Sequence, residues 1–419
     1  MAQRLRAVTV GVVALALAGC WYQPGQGPDR AAYNPFETEI GTATVADLTE
    51  QWTAPTDAGG VSDPVVSNAG VHVSAGDVSY YGFDPATGAR LWKHDVAPEG
   101  SVIFAAQPFA DAGTLLVSYG RGNLGGSYTV ERLDGATGAS LGIIDGFGFV
   151  NGQRGSLMVQ HRVGFGSGGP VATSLKVSDS ADPSVGWSGI IHVTTNSSAS
   201  SVTLGEAGVY QAGAGIVSMA DPASPTIGNG VRAWPLSGVP HCGPSNAISC
   251  PMWATPLTGS GTVPVLNGDE SVLYTATSAG TAYAVSTVDG SILWSASLGA
   301  GASAIPALAE GVLYVPTVDG RLVALDADGC GAATCSSLWS ATGGTGSISD
   351  QPAVAGGVVF TGWGDGSVHA FTAAGCGVAT CSPVWSVSTG SAISGAPAVS
   401  NGQLYVGTQD GRVIAYGLD

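Results

Sequence analysis

The strongest constraint on this chain is a phrase that it repeats. Ser394 to Asp419 reads SGAPAVSNGQLYVGTQDGRVIAYGLD, with close copies as SAIPALAEGVLYVPTVDGRLVALDADG from Ser303 and ISDQPAVAGGVVFTGWGDGSVHAFTAAG from Ile348. Each copy holds a Pro-containing apolar run, a Gly turn, an alternating run, an Asp-Gly turn and a second alternating run. Period-two alternation marks half-buried strands, and Asp-Gly is expected to supply the positive φ angles of a type I′ hairpin. Complete copies end in a short fourth run closed by Leu-Trp or Val-Trp. A four-stranded unit recurring every 40 to 50 residues predicts an all-β chain folded as a β-propeller.

Propeller blades can be counted along the chain. Blade one runs from Val61 through Pro64 to Trp92, and blade two carries Pro108 and Leu133-Asp134-Gly135-Ala136-Thr137-Gly138, with Leu141 in place of the tryptophan. Blade three (149–189) is degenerate and holds Trp187; blade four (199–256) is the longest. Blades five, six and seven have Pro264, Pro306 and Pro352, with Asp289-Gly290, Asp319-Gly320 and Asp365-Gly366 and with Trp294, Trp339 and Trp385. From Trp253 the tryptophans recur after 41, 45 and 46 residues. The copy beginning at Ser394 lacks a fourth strand, and VADLTEQWTA (45–54) resembles one. The expected architecture is a single eight-bladed propeller closed by the N-terminal strand around Trp52, with seven blades as the alternative if blade three is an insertion. Such closure removes open sheet edges.

The chain opens MAQRLRAVTVGVVALALAGC: two arginines, an apolar run from Val8 to Leu17, and small residues before Cys20. The run is too short to span a bilayer and reads as an export signal over 1–19. Leu17-Ala18-Gly19-Cys20 resembles a bacterial lipobox, which makes Cys20 the lipidation site. Residues 20–43, with Pro24, Gly25, Gly27 and Pro28, are expected as a lipid-anchored tether to a propeller domain over 44–419. The implied location is the outer face of the cytoplasmic membrane, or the cell envelope. Formal charge is −17 for the whole chain; loss of Arg4 and Arg6 leaves 11 minus 30, or −19. An acidic surface with two lysines disfavours nucleic acid and anionic headgroups, so contact with the membrane is expected through the lipid alone.

Six further cysteines fall in three close pairs, Cys242 with Cys250, Cys330 with Cys335 and Cys376 with Cys381. Export implies oxidising conditions, so local disulfides are expected. Zinc would need four converging ligands, and only His241 lies beside a pair. Gly164 to Gly169 matches GxGxxG, but the residues that follow read as strand and turn, not as the helix a dinucleotide site requires. Asp326-x-Asp328-Gly329 lacks the later ligands of a calcium loop. No nucleophile elbow, metal-binding histidine pattern or other catalytic constellation is present.

Runs such as Phe83-Asp84-Pro85-Ala86-Thr87-Gly88-Ala89-Arg90-Leu91-Trp92, and the openings Ala324-Leu325-Asp326 and Ala370-Phe371, resemble the repeat of the pyrroloquinoline-quinone-like propeller superfamily. Tyr33-Asn34-Pro35, Ile40, Leu48 and Trp52 resemble the approach to the first blade in its quinoprotein dehydrogenases. The resemblance implies that the fourth-strand tryptophans, Trp52, Trp92, Trp253, Trp294, Trp339 and Trp385, dock between neighbouring blades. The adjacent-cysteine disulfide that covers the quinone in those enzymes has no counterpart, and their metal ligands and catalytic Asp match no motif. The nearer analogues are cofactor-free propeller lipoproteins, such as the one serving the outer-membrane β-barrel assembly machine. The expected function is therefore a monomeric binding or scaffolding module for an envelope protein, peptide or polymer, with no cofactor or metal. A quinone- or metal-dependent oxidoreductase is the alternative. The long loops of blade four are the expected partner surface, with Ile216, Met219, Ile227 and Val239 as its apolar candidates.

Overall fold

The computed structural model describes residue 21 and residues 23–96, 103–105, 107–111, 113–121, 127–164, 171–194, 202–213, 229–236, 241–242, 248–249 and 251–419. Eight antiparallel sheets stand in a ring around a central axis, each running from an inner strand at the axis to an outer strand at the rim. Blade one is Val65–Ser67, Gly70–Ser74, Ser79–Phe83 and Arg90–Asp95. Blade three, the degenerate one, is nevertheless a full sheet of Phe149–Arg154, Leu157–Gly164, Val171–Asp179 and Gly186–Thr194. The count is therefore eight, not seven. In the last blade Ala398–Ser400, Gln403–Gly407 and Arg412–Gly417 are completed by Thr49–Pro55, with Trp52 opposite Ala415. The first and last parts of the domain thus share one sheet, so no blade is left half-formed.

The core lies between blades. Fully buried Tyr274, Tyr314, Tyr405, Val359 and Phe360 show how completely each sheet covers the next. One 3-10 turn, Val45–Asp47, precedes the closing strand. Among the described residues no helix is long and apolar enough to cross a membrane.

The Asp-Gly turns differ from expectation. In blade six the Gly320 N–H donates to the Thr317 carbonyl and the Thr317 N–H to the Arg321 carbonyl, and only Gly320 has positive φ, at 76°. This is a three-residue loop, a type I turn followed by a left-handed glycine, not a two-residue I′ turn. Asp319 takes another part. It accepts from the Thr317 hydroxyl at 2.6 Å and from Arg321 Nε at 2.8 Å, tying the turn together. Asp410 does the same with Thr408 and Arg412. Asp289-Gly290 is in a different turn, just before the outer strand of blade five.

Candidate functional site

The repeat creates a requirement at its centre. Each inner strand has a neighbour on one side only, so its other edge faces the axis with unpaired N–H and C=O groups. Residues 21–41 meet that requirement. The N–H groups of Val66, Leu266, Leu308 and Val354 donate to the carbonyls of Trp21, Asp29, Ala31 and Ala32 at 2.6, 2.9, 2.8 and 2.8 Å. Asn34 Nδ2 donates to the Val399 carbonyl at 2.9 Å. All five positions fall two residues after a blade's proline (Pro64, Pro264, Pro306, Pro352, Pro397), so one strap reads the same repeat position around the ring. Gln23 reaches the Gln153 carbonyl, and Arg30 Nε the Val202 carbonyl, in blades three and four. Tyr33–Asn34 adds a parallel strand to blade seven. From Trp21 onward the expected tether is therefore a packed element: Trp21 is 1% exposed, Ala32 1% and Asn34 0%. Each bond is worth about 1 kcal/mol net, and unpaired buried groups would cost more.

Arg30 is the strap's charged centre. Its guanidinium also donates to the Asn151 carbonyl, and its field reaches two acids at the starts of inner strands, Asp63 and Asp350. Burial lowers the Arg30 pKa to about 10, and the two acids act against that shift. Burial, then the neighbouring Asp350 charge, raises the Asp63 carboxyl well above its ordinary value. The Ala396 N–H, at 2.8 Å, and Arg30 oppose the rise. Asp350 is raised by burial against the Gln351 N–H and Arg30. The Gln351 side-chain amide ties the Arg30 and Pro306 carbonyls together, each at 2.7 Å. A cation supplied by the chain itself thus stands among these buried carboxyls. Among the described residues no three His, Cys, Asp or Glu side chains are placed to hold a metal ion.

The tryptophans mark blade junctions. Indole N–H groups of Trp52, Trp92, Trp253, Trp294 and Trp385 donate to carbonyls of Pro85, Gly135, Thr287, Ala327 and Leu48, each in the next blade, at 2.8 to 3.1 Å. Trp339 is 4% exposed and packs on Tyr314, ring centres 5.9 Å apart. The partner turn carries a glycine for two reasons. At Gly290 φ is 74°, and a Cβ there would stand 2.5 Å from the Trp253 ring. In blade one's turn Asp84 Oδ1 accepts from Ala86 N, Thr87 N and the Thr87 hydroxyl, which accounts for the Asp-x-x-Thr-Gly pattern.

Cys330–Cys335 and Cys376–Cys381 are disulfides. Each pins a loop whose tip, Thr334–Cys335 or Thr380–Cys381, adds a parallel fifth strand to the outer edge of the preceding blade. His241–Cys242 pairs with Ile248–Ser249, which adds to blade three in the same way. Cys250 lies outside the described residues, as do Cys20, Ile216, Met219, Ile227 and Val239. Beside the second disulfide an apolar depression of about 490 Å³ is lined by Val312, Leu338, Trp339 and Val378. Sequence reasoning missed Arg30, Asp63 and Asp350. The signal for the two acids was their place just before the blade-opening prolines.

A family model described as outer membrane protein assembly factor BamB matches residues 42–156, 215–332 and 329–419, more than half of the chain. Among solved structures, quinohemoprotein alcohol dehydrogenase ADHIIG from Pseudomonas putida superposes with a TM-score of 0.71 at 14% identity, over 97% of this chain and 81% of that one. The quinohemoprotein alcohol dehydrogenase of Comamonas testosteroni gives 0.65 at 16%, with the same coverage. BamB from Moraxella catarrhalis gives 0.58 at 15%, over 88% of this chain and all of that one. At such identities the likeness is one of fold. No curated protein sequence matches the chain.

Proposed function

Since the chain belongs to the family of the outer membrane protein assembly factor BamB, a family of pyrroloquinoline-quinone-like propellers, we propose that it is a lipid-anchored, non-catalytic propeller of the cell envelope. Its loops bind a protein, peptide or envelope polymer. The observation that carries this reading is the strap: the inner edges of blades one and three to eight are bonded to the chain's own residues 21–34, with Arg30 in electrostatic reach of Asp63 and Asp350. That arrangement leaves the rim and the loop-bearing faces for recognition. Among those loops, the ones in 213–252 break the repeat and are the proposed partner surface, Ile216, Met219, Ile227 and Val239 included. The second reading, a quinone- or metal-dependent oxidoreductase, is favoured by the fold shared with the two alcohol dehydrogenases, and fold alone does not fix function.

Affinity capture from the native membrane tests the proposal, using the full chain and a variant with 213–229 replaced by Asn-Gly. Loss of a captured partner at unchanged melting temperature is the expected result; equal capture removes the loops from the proposal. A parallel titration with pyrroloquinoline quinone and Ca²⁺ is expected to give no saturable quinone spectrum. A saturable spectrum with dye-linked alcohol oxidation would establish the second reading instead.

A further inference from the structure

We infer that the propeller is held with one particular face, the one bearing the turns between first and second strands, directly against a lipid bilayer. This rests on the lipid-anchor reading of Cys20. Cleavage before Cys20 leaves one residue ahead of Trp21, a Cα–Cα step of about 3.8 Å. Trp21 is not free to extend that reach. It is 1% exposed, forms an antiparallel bridge with Val66, and accepts the Val66 N–H at 2.6 Å. The bridge is antiparallel, so the chain enters Trp21 from the end of blade one marked by Ser67 and Gly70, the first-to-second-strand turn. An acyl group on Cys20 therefore has no spacer between itself and that end of the propeller.

A second observation points to the same face. The strap leaves the axis beside blade eight, the neighbour of blade one, where Glu37 Oε2 accepts the Gly402 N–H of the equivalent turn at 3.0 Å. Between Asn34, bonded to Val399, and Glu37 stands Phe36, 57% exposed. Among the described residues it is the one aromatic among the large exposed apolar side chains. An exposed aromatic on the face from which the chain enters Trp21 is suited to the headgroup region, where rings partition favourably. Charge supplies no attraction. Glu39 and Glu310 lie on this face, so affinity for anionic lipid rises with salt instead of falling. The opposite face, with the Asp319, Asp365 and Asp410 turns, is then directed away from the bilayer.

Depth-dependent quenching tests the orientation with the acylated full chain in liposomes. Asn401→Cys and Gln409→Cys place a fluorophore on exposed turns at the two ends of the same blade-eight strand, about 26 Å apart at ~3.3 Å per residue. With headgroup-level nitroxide lipid, the label at 401 is expected to be quenched at least about threefold more than the label at 409, an order-of-magnitude expectation from that separation. A flexible Gly-Ser insert between Cys20 and Trp21 should erase the difference, and Phe36→Ser should reduce it. Equal quenching, or stronger quenching at 409, in protein whose mass confirms acylated Cys20 overturns the orientation and leaves the anchor standing. Cys20 without an acyl group in protein purified from its own membrane overturns both.

Discussion

The junctions from blade four round to blade eight and the junction of blade two with blade three solve one packing problem by different means. In the regular sector every junction has a tryptophan whose N–H caps a carbonyl of the next blade or whose ring lies on that blade's turn glycine. One short motif, repeated, supplies area, a directional bond and a turn. Where blade two meets blade three the tryptophan is missing, and Leu141 is 56% exposed. There Lys176 of blade three pairs with Asp145 of blade two, and the Ser118 hydroxyl accepts the Val150 N–H. Blade three also buries Gln160 and His161. Buried polar groups hold an interface only while they are matched, whereas an indole junction depends on the close fit of a ring against its turn glycine. The two kinds of junction are therefore vulnerable to different changes, one to loss of a polar partner and the other to bulk at the turn glycine.

The largest test concerns what closes the ring. Deleting 44–54 removes the outer strand of blade eight and both Trp52 and the Leu48 carbonyl that caps Trp385. Cooperative unfolding is expected to disappear. Deleting 21–41 while keeping Cys20 strips bonds from the inner edges of blades one and three to eight. At about 1 kcal/mol each, a loss of ~5 kcal/mol or more follows. Calorimetry decides between this strap and a loose tether, for which the second deletion leaves the melting temperature unchanged.

A smaller effect separates the sectors at single glycines. Gly290→Ala puts a methyl 2.5 Å from the Trp253 ring at a φ of 74°. Left-handed strain of about 1–2 kcal/mol adds to the displaced ring, for roughly 3 kcal/mol in all. Gly155→Ala in blade three has φ of 55° but meets nothing within 4 Å, so only the strain, about 1 kcal/mol, is expected. Denaturant midpoints measure both. Equal losses would show that the tryptophan–glycine contact carries no special weight.

The repeat, the blade count, the closing strand and the junction tryptophans were legible because each is a local pattern: alternation, turn residues, fixed spacing. The strap was not. Residues 21–43 are rich in Pro, Gly and polar side chains and lack periodicity, so they resemble a linker; their conformation is imposed by the inner edges of seven blades. Asking where the inner-edge N–H groups of Val66, Leu266, Leu308 and Val354 find acceptors would have exposed it. Cysteine spacing indicated the two described pairs but not the fifth strands they pin, because a parallel bond to Ser295 or Ser340 of another blade leaves no mark in a six-residue loop. Nothing in the sequence around Arg30 sets it apart from the other ten arginines; its place comes from the bonds it makes to blades three and four.

His161 gives the finest comparison, because a regular blade, blade one, also buries a histidine. In blade one His72 meets the Ser67 hydroxyl at 2.9 Å and stacks on Trp92, ring centres 5.7 Å apart. In blade three neither ring nitrogen of His161 has a hydrogen-bond partner among the described residues. Burial depresses both, His72 to about 3 and His161 to about 4. The unfolded chain, with histidine near 6.5, binds the extra proton as pH falls below that value, while the folded protein does not until pH approaches the depressed pKa. Stability is thus full above pH 6.5 and drains away toward pH 4. At pH 5 the His161 share is about 2 kcal/mol. His161→Gln should flatten the pH 7 to pH 5 loss by that amount, with little change at pH 7, where no bond is given up. His72→Gln should flatten it similarly but lower stability at pH 7 as well, because it gives up the serine bond and the stack. Denaturant titrations at the two pH values separate these outcomes. A wild-type-sized acid loss in His161→Gln would mean that the blade-three histidine is not held neutral.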